Sequence, residues 1–140
     1  MVRDHIVYVP GVFDLLHHGH INVIEVAKSY GGTVVVGLLT DEAAASYKCT
    51  PVLAYSDRVR VVQALRDVDA VIPQTTHDCV PIIDILHPSV MVHGGPLQDD
   101  IRLETIEALR VWGGRLIEVP YTEGISSTRL RESLAKGQKL

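Results

Sequence analysis

Two histidines three positions apart, His17 and His20, with Gly19 between them, are the side chains in this sequence whose type and spacing most directly imply chemistry. They close the run Gly11-Val12-Phe13-Asp14-Leu15-Leu16-His17-His18-Gly19-His20. On a helix, positions i and i+3 share a face, so the two imidazoles would project together. Gly19 would let a ligand approach the main chain with no Cβ in the way. An imidazole donates a hydrogen bond even when neutral, and the amides of a helix N-terminus add partial positive charge. This combination suits a phosphate-bearing ligand. The plainer alternative is that both rings merely cap the first helix. His18 is expected to point elsewhere, and Asp14 either caps the turn or orients a neighbouring donor.

A second cluster lies near the other end, in Thr122-Glu123-Gly124-Ile125-Ser126-Ser127-Thr128. One hydroxyl is enough to cap a helix. Three in a row behind a glycine point to phosphate oxygens held by hydroxyls and N-terminal amides together. Arg129 either extends this edge or is an ordinary solvated helix arginine.

The elements that must position these clusters alternate along the chain. Short apolar, β-branched runs over residues 6–9, 33–39, 68–72, 90–92 and 116–119 read as strands, the first ended by Pro10-Gly11 and the third by Pro73. Between them lie helical patterns: one from Ile21 to a stop at Gly31-Gly32, and one capped by Ser56-Asp57 and running to Asp67. A third carries Ile82 to Leu86 with Pro81 in its first turn, a fourth covers residues 99–112, and a terminal helix covers 129–136. Residues 41–51 read as irregular. Strands alternating with helices imply right-handed crossovers and a parallel sheet. The expected fold is α/β and Rossmann-like, a single domain over residues 1–140 with a five-stranded parallel sheet in the order 3-2-1-4-5 flanked by helices. Both clusters follow strands directly, so both belong on the carboxyl edge where such sheets bind ligands.

Bulk properties narrow the classes. With 46% hydrophobic and 21% charged residues over 140 positions, the chain has globular composition and enough length for a core. Thirteen basic against seventeen acidic side chains, net −4, argue against a nonspecific nucleic-acid binder. Cys49 and Cys79 lack metal-ligand spacing and read as reduced thiols. The charged start Met1-Val2-Arg3-Asp4-His5 is unlike a secretory leader, and no apolar run reaches membrane-spanning length. A soluble cytoplasmic location is the expectation.

Read together, the Gly11-Val12-Phe13-Asp14 run into His17-His18-Gly19-His20 and the distant Thr122 to Thr128 run resemble the cytidylyltransferase family within the HxGH nucleotidyltransferases. The resemblance covers nearly the whole chain, and two ordered motifs are far more specific than either alone. It implies attack of a phosphate or phosphonate oxygen on the α-phosphorus of a nucleoside triphosphate, with pyrophosphate expelled. An anionic nucleophile needs in-line placement and charge neutralisation more than a strong base. By resemblance, His17, His20 and the loop residue Lys48 are the catalytic candidates. Gly11, Val12, Phe13, Asp14, Gly19, Tyr121, Gly124, Ile125, Ser126, Ser127 and Thr128 would contact the nucleotide, with the Tyr121 ring either stacking on the base or packing. Lys48, Arg58, Arg66 and His77 would contact the acceptor.

The chain departs from the glycerol-3-phosphate branch of the family in three places. It has His77 where those enzymes carry tryptophan, Gly94-Gly95-Pro96-Leu97 in place of Gly-Asp-Asp-Trp, and Tyr121 in place of an arginine. The runs Ala64 to Gln74 and Val119 to Gly124 are closer to cytidylyltransferases of phosphonate metabolism. The resemblance therefore implies transfer of CMP from CTP to a small phosphonate, such as phosphonoformate or a hydroxyethyl- or aminoethylphosphonate. Magnesium would be carried on the CTP phosphates without protein ligands, and a homodimer is expected. A glycerol-3-phosphate-type enzyme and a non-catalytic nucleotide-binding module are the alternatives; an adenylyltransferase is expected less, because the C-terminal run resembles the cytidylyl branch.

Overall fold

A computed structural model describes residues 4–139; Met1, Val2 and Arg3 of the charged start, and the last residue, lie outside the described residues. The elements run β1 (Ile6–Gly11), α1 (His18–Ser29), β2 (Thr33–Leu39), α2 (Asp41–Ala45), α3 (Tyr55–Gln63), β3 (Ala70–Gln74), α4 (Val80–Leu86), β4 (Val90–Gly94), α5 (Asp99–Val111), β5 (Arg115–Val119) and α6 (Ser127–Lys136). The five strands are all parallel and ordered β3-β2-β1-β4-β5, as expected. None of the described helices is long and apolar enough to cross a membrane.

Strand side chains alternate between faces, and the two cores follow that alternation. Val7 and Val9 of β1, with Val34, Val36 and Leu38 of β2, pack with Ile24 and Ala27 of α1 and Val62 of α3. The intervening Tyr8, Val35 and Met91 pack on the opposite face against Ile83 of α4 and Leu109 of α5. Each fully buried aliphatic side chain stabilises the fold by about 2 kcal/mol. Two covered faces explain why β2 reads as an unbroken apolar run.

Four expectations about element boundaries are corrected. β3 runs through Pro73, because it is an edge strand that pairs only with β2, where a missing N–H is tolerated. β1 likewise runs through Pro10, which pairs with Gly37 of β2. β4 is in register with β1 only at Val7 and Tyr8, so Pro10 lies past the point where those strands part. Residues 41–51 are not wholly irregular: Thr40 Oγ1 accepts from the Ala43 amide at 3.2 Å and starts α2, which buries Ala43 and Ala44. The second long helix begins at Tyr55 rather than after a Ser56-Asp57 cap, and ends at Gln63 rather than Asp67. Its terminal amide at Tyr55 points to the Asp41 carboxylate at 3.4 Å, a cap supplied from another segment.

Arg58 corrects a functional expectation. Its guanidinium is fully buried. It donates to the Val12 and Leu39 carbonyls, both at 2.8 Å, to the Leu53 carbonyl at 3.0 Å, and to Asp41 at 2.7 Å. Four of its five N–H groups join the carboxyl ends of β1 and β2 to α2 and α3, and the buried side chain is not presented to an acceptor. Replacing Arg58 with Met should lower stability by about 3 kcal/mol, since three carbonyls, that of Leu39 buried, and the Asp41 carboxylate lose their donor. Urea unfolding measures this, and an unchanged midpoint would contradict the assignment.

Candidate functional site

Where β1 and β4 part, a cleft of about 730 Å³ opens at the carboxyl edge of the sheet. The β1–α1 loop forms one wall, the β5–α6 loop and the start of α6 another. The segment after α2 and the loops after β3 and β4 complete it.

The first motif is built by an unusual backbone path. Phe13 and Leu15 adopt left-handed φ values of 51° and 49°, which turn the chain sharply so that His17 arrives as the N-cap of α1. His17 Nδ1 accepts from the Gly19 amide at 3.1 Å, and His20 Nδ1 accepts from the His17 amide at 3.1 Å. The ring of His17 folds so closely over Gly19 that a Cβ there would meet it at 2.8 Å. Capping is therefore what the two Nδ1 atoms do, and it leaves donation to the other nitrogen of each ring. Because both Nδ1 atoms accept, each neutral ring carries its proton on Nε2. The two rings stand 4.0 Å apart and both line the cleft.

Burial lowers the pKa of both rings. For His20 it falls to about 4, through desolvation first and then the positive charge of His17 and Lys48, with Asp14 pulling weakly the other way. For His17 the fall comes from desolvation and then His18. Near neutral pH the pair is two uncharged Nε2–H donors.

Of its two readings, Asp14 takes that of orienting a neighbouring donor, and it does more. Its carboxylate is 2% exposed and accepts from the Val52 amide at 2.8 Å, the Leu53 amide at 3.0 Å and the Arg131 guanidinium at 3.3 Å. Its main-chain carbonyl accepts from Ser127 Oγ at 2.7 Å. One residue thus ties the first motif, the segment before α3 and the last helix together. A further tie runs from Asn22 Nδ2 to Thr122 Oγ1 at 2.9 Å.

The three hydroxyls of the second motif are divided. Ser126 Oγ caps α6 by accepting from the Arg129 amide at 3.1 Å, and Ser127 Oγ is held by Asp14. Thr128 and the first amides of the helix, which have no intrahelical partner, are left at the cleft wall. Arg131 also lines the cleft and was not singled out in the sequence. Its signal was available: it lies four residues after Ser127, hence on the same helix face.

Gly11, Val12, Phe13, Lys48, His77, Tyr121 and Ile125 line the same cleft. The His77 ring stacks on Tyr47 at 3.7 Å and 9°. Tyr121 lies against Gly95, whose φ of +85° and missing Cβ admit the ring. Three expected contacts are not brought to the cleft lining. Arg58 is the buried clamp described above. Arg66 is exposed beyond α3, beside Asp67 at 3.3 Å. Gly124 sits outside the lining, in a turn at φ +84°. Among the described residues no group of three or more His, Cys, Asp or Glu side chains is placed to hold a metal ion.

A cytidylyltransferase-like family model matches residues 8–133. The chain belongs to the cytidylyltransferase-like family. It is 34% identical over 137 residues to a D-beta-D-heptose 1-phosphate adenylyltransferase of Bordetella bronchiseptica, covering 94% of this chain and 83% of that one. It is 36% identical over 138 residues to the bifunctional protein HldE of Streptomyces coelicolor and 34% identical over 134 residues to that of Methylobacillus flagellatus. These matches cover 96% and 94% of this chain but only 29% and 27% of the bifunctional proteins. The relative matched nearly end to end is named for adenylyl transfer to a heptose 1-phosphate rather than cytidylyl transfer to a phosphonate.

Among solved structures, a lipopolysaccharide core biosynthesis protein from Thermoplasma volcanium shares the fold with a TM-score of 0.71 at 24% identity, over 84% of this chain and 96% of that one. Pantoate-beta-alanine ligase of Francisella tularensis does so at 0.60 and 16% identity, over 91% of this chain and 65% of that one.

A pH dependence follows from the lowered imidazole pKa. Between its unfolded value of 6.5 and its folded value of about 4, His20 binds more proton in the unfolded chain, so stability is full above 6.5 and falls as pH drops toward 4. The loss from His20 alone is on the order of 3 kcal/mol. An NMR titration of the ring should show it neutral down to about pH 4; a midpoint near 6.5 would contradict its burial.

Proposed function

We propose that this chain is a nucleotidyltransferase that moves AMP from ATP to a sugar 1-phosphate and releases pyrophosphate. The observation carrying the transfer reading is that the Nε2–H donors of His17 and His20 share a cleft with the open N-terminus of α6, the two held together through Asp14. The adenylyl and sugar-phosphate part is supported by the Bordetella bronchiseptica relative. CTP with a small phosphonate is the second reading, favoured by the likeness of the Val119 to Gly124 run to phosphonate cytidylyltransferases.

In this reading an acceptor phosphate oxygen attacks the α-phosphorus, the bond to the bridging oxygen breaks, and pyrophosphate leaves with the electron pair. His17 and His20 donate to α- and β-phosphate oxygens as charge gathers there. The Thr128 amide and Arg131 hold the outer phosphates. Lys48, on the cleft segment after α2, neutralises charge where the two anions meet. Magnesium enters with the nucleotide as part of the substrate: the cleft's carboxylate, Asp14, is already committed to two amides and an arginine.

Pyrophosphate release, assayed with ATP and CTP against D-β-D-heptose 1-phosphate and phosphonoformate, tests the reading. ATP with the heptose phosphate should give turnover, whereas turnover with CTP and phosphonoformate alone would favour the second reading. His17→Ala and His20→Ala should each lower kcat by on the order of 10²–10³, the cost of a lost transition-state donor. Lys48→Ala should lower kcat and raise the acceptor KM. Full turnover in both histidine variants would overturn the mechanism.

A further inference from the structure

The cleft holds a third kind of imidazole, of opposite polarity to His17 and His20. His93, at the carboxyl end of β4, bonds through Nδ1 to the Gly95 carbonyl at 2.8 Å. A carbonyl only accepts, so Nδ1 carries the proton, and in the neutral ring Nε2 presents a bare lone pair. Among the described residues no hydrogen bond occupies that nitrogen, and the residue lines the cleft. The phosphate end of the cleft offers donors: two Nε2–H groups, Lys48, Arg131 and helix amides. In that neutral tautomer the lone pair would repel a phosphoryl oxygen, which sets His93 apart from the donors of the phosphate cage.

Its surroundings indicate what it meets instead. His93 is near enough to His77 that its charge disfavours protonation of that ring, after desolvation. His77 stacks flat on Tyr47, one residue before Lys48. The His93 ring, whose register partner on β5 is Glu118, and the stacked Tyr47 and His77 rings line one cleft with Lys48, where a carbon skeleton attached to the incoming phosphate would meet them.

We propose that His93 is a specificity-determining residue whose Nε2 accepts a hydrogen bond from a hydroxyl of the acceptor, selecting a polyhydroxylated phosphate such as a sugar phosphate over a bare phosphate or carboxylated phosphonate. The inference rests on the transfer reading above and names what that site requires of its acceptor.

Two substitutions separate the ring nitrogens. In His93→Asn the amide keeps a donor near the Nδ1 position and loses the distal acceptor; in His93→Gln the amide oxygen reaches the Nε2 position. At pH 8, where imidazoles are ordinarily neutral, kcat/KM for D-β-D-heptose 1-phosphate should fall about tenfold in His93→Asn, the worth of one hydrogen bond. His93→Gln should keep most of it. With methyl phosphate as acceptor both variants should match the parent within about twofold, and the KM for ATP should not move. Equal losses on both acceptors, or a loss confined to the ATP KM as expected if His93 read the base, would overturn the proposal. If the parent protein releases no pyrophosphate with any acceptor, the transfer reading fails, and nitrogen-15 NMR decides this inference alone. Added D-β-D-heptose 1-phosphate should then shift the bare Nε2 of His93 upfield by several ppm while His17 and His20 keep their Nε2–H tautomers. An unmoved His93 resonance, or one showing Nε2 protonated in the free protein, would overturn it.

Discussion

The cleft depends on one buried carboxylate. Asp14 has almost no solvent contact, so its charge must be satisfied within the fold or it would destabilise the chain. Two amides before α3 and one arginine from α6 do this, and its carbonyl adds the Ser127 hydroxyl. These contacts reach 113 and 117 residues along the sequence to α6. α6 has no buried residue of its own, so it lacks the apolar anchor that the other long helices use, and polar ties of this kind place it. A desolvated charge thus positions the helix end that lines the same cleft as the histidines.

The histidine motif illustrates a second economy. A helix start has amides with no partner, and hydroxyl or carboxylate side chains usually accept from them. Here imidazoles do so, and the act of accepting through Nδ1 leaves the proton on Nε2, on the side of the cleft. Desolvation then keeps the rings uncharged. Local structure and tautomer are consequences of the same two hydrogen bonds, and the charge state follows from burial. His93 obeys the same rule with the opposite result, because its Nδ1 partner is a carbonyl rather than an amide.

Much of the architecture was legible because it rests on local periodicity. The alternation of Val7, Tyr8 and Val9 between two cores, and the all-apolar β2, follow directly from strand geometry and helices on both faces. Both motifs could be placed on one sheet edge because each follows a strand. What was not legible depends on partners distant in sequence. Nothing local marks Arg58 as a clamp for the Val12, Leu39 and Leu53 carbonyls, and an arginine on a helix beside a site is read as a ligand contact by default. Arg131 was missed for the converse reason, since a terminal-helix arginine looks solvated until Asp14 is placed beneath it. Pro10 and Pro73 misled because proline's cost to a strand depends on whether a neighbour is bonded on that side. The substrate was the least legible feature. From the Val119 to Gly124 run one branch of the family was expected, while a relative matched over 83% of its length carries the name of another.

The account's central claim is that residues a hundred positions apart grip one polyphosphate. The most direct measurement is a crystal structure with a non-hydrolysable α,β-methylene nucleoside triphosphate bound. The account predicts a single triphosphate within hydrogen-bond distance of His20 Nε2 and of the Thr128 amide at once, with Asp14 still joined to Ser127. A triphosphate touching only one of the two segments, or bound outside the cleft, would contradict it.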